Sequence, residues 1–186
     1  MPATAHRIRI IGGLYRRRVL RFPAAPGLRP TPDRVRETLF NWLGQDLAGL
    51  HTLDLYAGTG ALSLEALSRR AVLAVAVDRN AQLVRTLEDN AAALGVAGLE
   101  THTADALAYL AREIRRFDVI FLDPPFAEDP WPWLLPACAG RLKPGGFIYA
   151  EAAHSLPPPS GFATWRRDKA GQVHYHLFVR ADAAPA

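Results

Sequence analysis

The residues best suited to chemistry are Asp123, Pro124, Pro125 and Phe126, which directly follow the apolar run Val119–Leu122. The Asp123 carboxylate and the proline-restricted carbonyl of Pro124 form a rigid pair of hydrogen-bond acceptors. Each acceptor can take one N–H of an exocyclic amine, while the ring of Phe126 stacks on the base that carries the amine. The four residues therefore predict a catalytic site that positions the amino group of a nucleobase for reaction.

A second motif, Asp54–Gly60, places two glycines after another apolar segment, where the backbone can closely approach a nucleotide-like cofactor. Asp78 and Asp105 follow the next two predicted strands and could bind ribose hydroxyls and an adenine amino group. The third glycine of a dinucleotide fingerprint is replaced by Ser63, which favours S-adenosylmethionine, a cofactor without phosphate. The residues predicted to bind it from this pattern are Asp54, Tyr56, Ala57, Gly58, Gly60, Asp78, Arg79, Asp105 and Ala106.

Strand-like and helix-like patterns alternate from residue 52 onward, which predicts a doubly wound, mostly parallel α/β sheet of Rossmann-like type. The predicted strands are Thr52–Tyr56, Val72–Val77, Leu99–Thr103, Val119–Leu122 and Phe147–Glu151, the last after a turn at residues 143–146. The predicted helices are Ala61–Arg69, Ala81–Leu94, Ala104–Ile114 and Trp133–Arg141. A C-terminal antiparallel hairpin is expected at Ala163–Arg167 and Val173–Val179. At the N-terminus we expect a small hairpin of Arg7–Ile10 with Val19–Phe22, then a helix with Thr31 as N-cap that stops at Gly44.

Basic charge is concentrated at the start of the chain. Residues 1–36 contain nine Arg and one acidic residue, 9 − 1 = +8, whereas the whole chain has a net charge of +4. Such a segment predicts contact with phosphate, and Arg suits bidentate phosphate contacts. The candidates for RNA contact are Arg16, Arg17, Arg18, Arg29 and Arg34. The predicted organisation is a basic docking arm at 1–30, a catalytic domain at 31–180 and a disordered tail at 181–186.

Composition excludes several other classes of protein. The chain has 186 residues, 49% hydrophobic and 22% charged, which is typical of one globular domain. Its single cysteine, Cys138, is expected in the core and excludes an internal disulfide or a multi-cysteine metal site. No apolar run approaches the length of a membrane span, and no signal peptide is recognisable. We therefore expect a cytoplasmic monomer that binds neither metal nor membrane.

Three pairs of side chains are compatible with either a functional or a structural role. Trp131 and Trp133 could form a lid over the base or pack in the core. Glu65 and Glu151 could line the pocket or only cap surfaces. The His174–His176 pair shares one strand face, but it lacks carboxylate or Cys partners, so a structural role is expected.

Several segments resemble the bacterial 16S ribosomal RNA guanine-N2-methyltransferases. The segments that carry the resemblance are Arg9–Gly13, Leu28–Leu43, Leu53–Gly60, Leu64–Arg69 and Asp123–Phe126, within a similarity that runs from about residue 7 to 180. The resemblance implies a class I methyltransferase fold. It also implies methyl transfer from S-adenosylmethionine to N2 of one guanine in 16S rRNA, on the small ribosomal subunit or its assembly intermediate.

The same resemblance implies roles for individual residues. Gly58 and Gly60 match the cofactor turn, Asp78 the ribose contact, Asp105 the adenine contact and Asp123–Phe126 the catalytic motif. Arg29 and Thr31 match a segment expected near the mouth of the active site, which makes Thr31 a further candidate for cofactor binding. Tyr56 and Arg70 depart mildly from the family pattern, without consequence for activity.

Three alternatives stay open at this point. A DNA or RNA adenine-N6-methyltransferase can use the same four-residue motif, although 186 residues leave no room for a separate target-recognition domain. Protein glutamine methyltransferases usually have Asn where this chain has Asp123. An RNA-binding scaffold with a degenerate pocket is the non-enzymatic alternative, and the intact acidic residues argue against it.

Overall fold

The computed structural model describes residues 6–23 and 31–183. The strands are β1 (His6–Arg9), β2 (Val19–Phe22), β3 (His51–Asp54), β4 (Leu73–Asp78), β5 (Leu99–Thr103), β6 (Phe117–Leu122), β7 (Leu142–Ala152), β8 (Phe162–Ala170) and β9 (Val173–Arg180). The helices are α1 (Asp33–Leu43), α2 (Ala61–Ser68), α3 (Ala81–Leu94), α4 (Ala106–Arg112) and α5 (Trp131–Ala139). A single 3₁₀ turn, Ala181–Ala183, follows β9.

The centre of the molecule is a seven-stranded sheet in the order β5-β4-β3-β6-β7-β9-β8. The first five of these strands are parallel, while β9 and β8 add an antiparallel edge. The predicted doubly wound sheet with a C-terminal antiparallel hairpin is thus confirmed. Strand order reverses at β3 and β6, so the carboxyl ends of these two strands form the crevice where ligands bind in such sheets.

The hairpin of β1 and β2 packs on α2 and α3 rather than extending as a free arm. Its inward side chains Ile10 and Leu20 are buried in the main core. The loop after β1 is fixed by Glu65 of α2, whose carboxylate accepts the backbone N–H groups of Ile11 and Gly12, each at 2.8 Å. Long-range hydrogen bonds of this kind leave no trace in local sequence patterns. The predicted boundary between an arm and a catalytic domain at residue 31 stays a prediction.

Glu65 is also the centre of a buried charge cluster. It therefore has a structural role and does not line the cofactor pocket. Its side chain is fully buried and accepts the Nε–H of Arg69 at 3.0 Å. The guanidinium of Arg36, equally buried, lies 3.6 Å from the other carboxylate oxygen. A carboxylate can stay ionised away from water only with such partners. The cluster therefore joins α1, α2 and the N-terminal hairpin.

Several predicted boundaries were wrong. The N-cap of α1 is Pro32 without a side-chain hydrogen bond, because the Thr31 hydroxyl turns inward instead. Strand β3 ends at Asp54, and α4 begins only at Ala106 because Asp105 caps it. Helix α5 starts two residues early, at Trp131, with a proline at its N-terminus.

Two further differences concern the C-terminal half. The expected turn at residues 143–146 is an irregular stretch within β7, where the pairing jumps from Phe117–Leu142 to Val119–Phe147. The tail expected to be disordered begins with the 3₁₀ turn, in which the Ala181 N–H donates to the carbonyl of Gly161 at 2.9 Å. Residues 184–186 lie outside the described part of the chain.

Candidate active site

A cavity of about 470 Å³ opens at the carboxyl ends of β3, β4 and β6. Its lining brings together residues that are far apart in the sequence. The predicted residues that line it are Thr31, Asp54, Tyr56, Ala57, Gly58, Asp78, Arg79, Asp105, Ala106, Asp123, Pro124, Pro125 and Phe126. Both predicted motifs therefore belong to one site.

The glycine turn after β3 forms one wall of this cavity. Gly58 has φ +51 and donates its N–H to a carboxylate oxygen of Asp78 at 2.8 Å. Gly60 has φ +74 and does not itself line the cavity, and a Cβ added there would meet Leu87 Cδ1 at 2.1 Å. Gly60 thus has a left-handed conformation that favours glycine and lies close against Leu87 of α3, whereas Gly58 brings the backbone to the cavity surface.

Asp78 and Asp105 are both oriented by backbone groups. The second carboxylate oxygen of Asp78 accepts the N–H of Asn80 at 2.8 Å. Asp105 is the N-cap of α4 and accepts two backbone N–H groups through the same oxygen, Oδ1, at 3.0 and 3.1 Å. Fixed carboxylates at the ends of neighbouring strands suit the binding of hydroxyl and amino groups.

Asp54 lies beneath the glycine turn and is only 2% exposed. The hydroxyl of Ser63 donates to its Oδ2 at 2.9 Å. Burial is the main cause that raises the pKa of Asp54 to about 7, and the nearby carboxylate of Asp78 adds to the shift. Ser63, which stands where a dinucleotide site has its third glycine, therefore has a specific role in holding this buried acid.

The charge of the cavity decides which kind of cofactor fits. Its lining contains the six carboxyl groups of Asp54, Asp78, Asp105, Asp123, Glu128 and Glu151, and one guanidinium, that of Arg79. Arg79 is paired with Glu128 at 2.7 Å at the cavity mouth. An acidic lining repels phosphate and favours a cation. The cavity therefore fits S-adenosylmethionine, which carries a positive sulfur and no phosphate, better than a dinucleotide.

The predicted catalytic motif follows β6, the strand that pairs with β3, and so lies beside the glycine turn at the same edge of the sheet. Asp123 is half-buried, and its Oδ2 accepts the hydroxyl of Thr31 at 3.4 Å. Pro124 is buried, while Phe126 is partly exposed. Thr31 thus lies at the catalytic end of the cavity.

Glu151, whose role was left open, also lies at this end. It is 2% exposed, and its Oε1 accepts the hydroxyl of Tyr149 at 2.8 Å. Burial raises the pKa of Glu151 to about 7, against the opposing effect of hydrogen bonds from Tyr149 and Thr31. Sequence patterns do not distinguish a pocket-lining Glu151 from a surface cap, because one of its partners, Thr31, lies far earlier in the chain.

A second cavity of about 250 Å³ adjoins the first at the catalytic motif. Pro124, Phe126 and Glu151 line both cavities. Trp131, 7% exposed, lines the smaller cavity, whereas Trp133 is 62% exposed and lines neither. Of the two tryptophans considered as a lid, only Trp131 therefore lies beside the predicted catalytic motif.

The predicted arginines occupy two different regions. Arg16, Arg17 and Arg18 are exposed at the tip of the β1–β2 hairpin. This tip reaches the end of α3, where the Tyr15 hydroxyl lies 3.5 Å from the carbonyl of Gly95. Because α3 starts beside the cavity and is about 20 Å long, the three arginines lie at the opposite end of the domain.

Arg34 is exposed in the first turn of α1, close to the cavity-lining Pro32. Arg29 lies outside the described residues.

The remaining sequence predictions concern residues away from the cavity. Cys138 is buried in the core, as predicted. His176 is 1% exposed, accepts the N–H of Leu156 at 3.2 Å and stacks on Phe178, which agrees with a structural role. In the described ranges 6–23 and 31–183 we find no group of three or more His, Cys, Asp or Glu side chains that could hold a metal. No helix in these ranges is long and apolar enough to cross a membrane.

The fold and the site together define a Rossmann-like methyltransferase. Its family is the one described as Conserved hypothetical protein 95, whose model matches residues 8–179, and the chain belongs to this family. It is 38% identical to Ribosomal RNA small subunit methyltransferase D of Escherichia coli K12, over 93% of this chain and 90% of that protein. It is 36% identical to the protein of the same name from Haemophilus influenzae, over 95% and 96% of the two chains.

A solved structure supports the same family assignment. The structure of yhhF from Escherichia coli superposes with a TM-score of 0.84 at 37% identity, and it covers 94% of this chain and 98% of its own. The predicted resemblance and the predicted fold class are therefore confirmed, and the methyltransferase relatives support S-adenosylmethionine as the cofactor. The individual site residues stay predictions, now with a defined geometry.

Proposed function

We propose that this protein transfers a methyl group from S-adenosylmethionine to the exocyclic N2 amine of a guanine in 16S rRNA of the small ribosomal subunit. The observation that carries the proposal is the position of Asp123–Phe126 in the larger cavity, where Pro124 and Phe126 also line the adjoining smaller one. One cavity suits the cofactor, and the other is lined by aromatic rings that suit a base. The names of the relatives, which describe small-subunit rRNA methyltransferases, support this substrate.

When bound, S-adenosylmethionine supplies a methyl group on a positively charged sulfur, and the carbon–sulfur bond breaks as the carbon–nitrogen bond forms. Asp123 accepts one N–H of the amine and the carbonyl of Pro124 accepts the other, which directs the nitrogen lone pair at the methyl group. Phe126 stacks on the base, a contact worth roughly 1–3 kcal/mol. After transfer the nitrogen carries a positive charge, and Asp123 or water takes its extra proton.

The outward face of the N-terminal hairpin supports a role in docking on RNA. Arg7 and Arg21 are exposed and directly opposite each other across the two strands. Like charges in such a pair destabilise a hairpin unless an anion lies over them. With Arg16, Arg17 and Arg18 at the tip, they form a basic face that runs along one side of the domain. A polyanionic backbone recognised by shape, as in a folded RNA, is the partner that fits this face.

Replacing Asp123 with Ala tests the proposed chemistry. We expect methyl transfer to small subunits to fall at least 1,000-fold, while the Kd of the cofactor changes little, because Asp123 serves the acceptor amine. The exposed Asp89→Ala variant is the matched control and should retain full activity. Normal turnover by the Asp123 variant would refute the assigned role.

A further inference from the structure

We propose that Glu151 recognises the target base by accepting the N1–H of guanine, and so determines the choice of guanine over adenine. The proposal rests on the function proposed above and adds a specificity residue to it. The base would lie where the two cavities join, with its Watson–Crick edge toward two neighbouring carboxyl groups: that of Asp123, which lines the larger cavity, and that of Glu151, which lines both.

The sheet places these two groups side by side. Strands β6 and β7 are parallel neighbours, and their last registered pair is Leu122 with Ala150. Asp123 directly follows the end of β6, and Glu151 is the next residue along within β7, so the two lie at the same level, where neighbouring strands are about 4.8 Å apart. They also share one face of the sheet, because Phe121 and Tyr149, two residues earlier on each strand, form an aromatic contact with ring centroids 6.3 Å apart.

Glu151 is held in place by its surroundings. Tyr149, which is fully buried, donates its hydroxyl to Glu151 Oε1 at 2.8 Å. Thr31 contacts both carboxyl groups, since its side chain hydrogen-bonds Glu151 and its hydroxyl lies 3.4 Å from Asp123 Oδ2. A buried carboxyl group with two fixed partners is a preorganised acceptor rather than a mobile surface acid. It also lines both cavities, so it reaches the position where the base would lie.

The Watson–Crick edge of guanine matches this pair of acceptors. Guanine presents two adjacent donors, the N2 amine and the N1–H, and two carboxylates side by side can accept both. Adenine presents one amine donor beside an unprotonated N1, and above pH 7, where Glu151 is ionised, a carboxylate facing that nitrogen leaves both groups without a partner. Leaving a buried polar group unpaired costs more free energy than one hydrogen bond contributes, so this mismatch strongly favours guanine over adenine.

The test uses small subunits reconstituted with rRNA that carries either guanine or 2-aminopurine at the methylated position. 2-Aminopurine keeps the N2 amine but lacks the N1–H. The enzyme variants are Glu151→Gln and, as a matched control, Glu37→Gln on the exposed face of α1. In the Glu151 variant, Tyr149 keeps the amide oxygen as its acceptor, so the NH₂ group faces the base and can donate to an unprotonated N1.

We expect wild-type enzyme to prefer guanine over 2-aminopurine by at least tenfold in kcat/KM, about 1.4 kcal/mol. In Glu151→Gln the ratio of the two values should fall at least tenfold or invert, with an unchanged Kd for the cofactor. Comparing the two enzymes removes the effect of the missing O6, because that loss is common to both. Glu37→Gln should keep the wild-type ratio.

An unchanged base preference in Glu151→Gln, with guanine still methylated, would overturn this inference alone. Failure of wild-type enzyme to methylate guanine at N2 would instead overturn the proposed function itself. A parallel loss of activity on both bases, with normal cofactor binding, would show that Glu151 does not contact N1 and would also overturn the inference.

Discussion

Asp54 offers a quantitative test of the cofactor cavity through the pH dependence of stability. Its carboxyl group is 2% exposed, and burial raises its pKa from 3.8 to about 7. The Asp54→Asn variant keeps the shape and can still accept the Ser63 hydroxyl, but it cannot ionise. The difference in unfolding free energy between wild type and variant therefore reports the ionisation of Asp54 alone.

The sign follows from the raised pKa. Between pH 4 and 7 the unfolded chain has released the proton of Asp54, whereas the folded chain retains it, so wild type loses stability as pH rises. Above pH 7 both states are ionised, and no further loss occurs. At 1.36 kcal/mol for each pKa unit, the full effect is about 4 kcal/mol, of which about 3 kcal/mol falls between pH 5 and 8.

The assay is urea unfolding of wild type and Asp54→Asn at pH 5 and pH 8, without cofactor. The variant should gain about 3 kcal/mol relative to wild type between the two pH values. Asp46→Asn, at a carboxyl group that is 56% exposed, is the control and should show no such change. A difference between wild type and Asp54→Asn that does not vary with pH would show that the carboxyl group titrates normally, and the described packing of the glycine turn would be wrong.

Two further predictions concern the N-terminal hairpin. Replacing Arg16, Arg17 and Arg18 together with Ala should weaken binding to small subunits. The slope of the logarithm of the binding constant against the logarithm of the salt concentration should become shallower by about one for each arginine. An unchanged slope, measured by titration at several salt concentrations, would show that the hairpin tip is not part of the docking surface. Replacing Glu65 with Gln takes the carboxylate partner from the buried guanidinium of Arg69 and leaves Arg36 with Asp33 alone, so chemical unfolding should show a loss of about 3 kcal/mol, with Glu88→Gln as the exposed control. A loss below about 1 kcal/mol would contradict the structural role of the Glu65 cluster.

The sequence predicted the elements of this fold well because their signals are local. Apolar spacing and flanking glycines located every helix and strand of the sheet, and strand-end acids pointed to one edge. The boundaries that were wrong, such as the start of α4, depend on which side chain caps the helix. Asp105 was predicted only as an adenine contact, yet it also ends the preceding loop by capping α4.

The sequence located residues that line the cavity but not the contacts that hold them in place. Asp123 and Asp78 could be found because they belong to motifs with defined spacing. Thr31 was expected to cap α1, but its hydroxyl hydrogen-bonds Asp123, which lies 92 residues later in the chain. The roles of Glu65 and Glu151 depend in the same way on contacts between distant segments, and residue spacing carries no information about such contacts.

The most direct test of the proposed function is methyl transfer from labelled S-adenosylmethionine to small ribosomal subunits from cells that lack the endogenous enzyme, followed by nucleoside analysis. We predict that the label appears in N2-methylguanosine of 16S rRNA. Label in N6-methyladenosine would contradict the guanine assignment and favour the adenine-N6 alternative. No label in subunits or in naked rRNA, with cofactor binding intact, would contradict the account of the acceptor site.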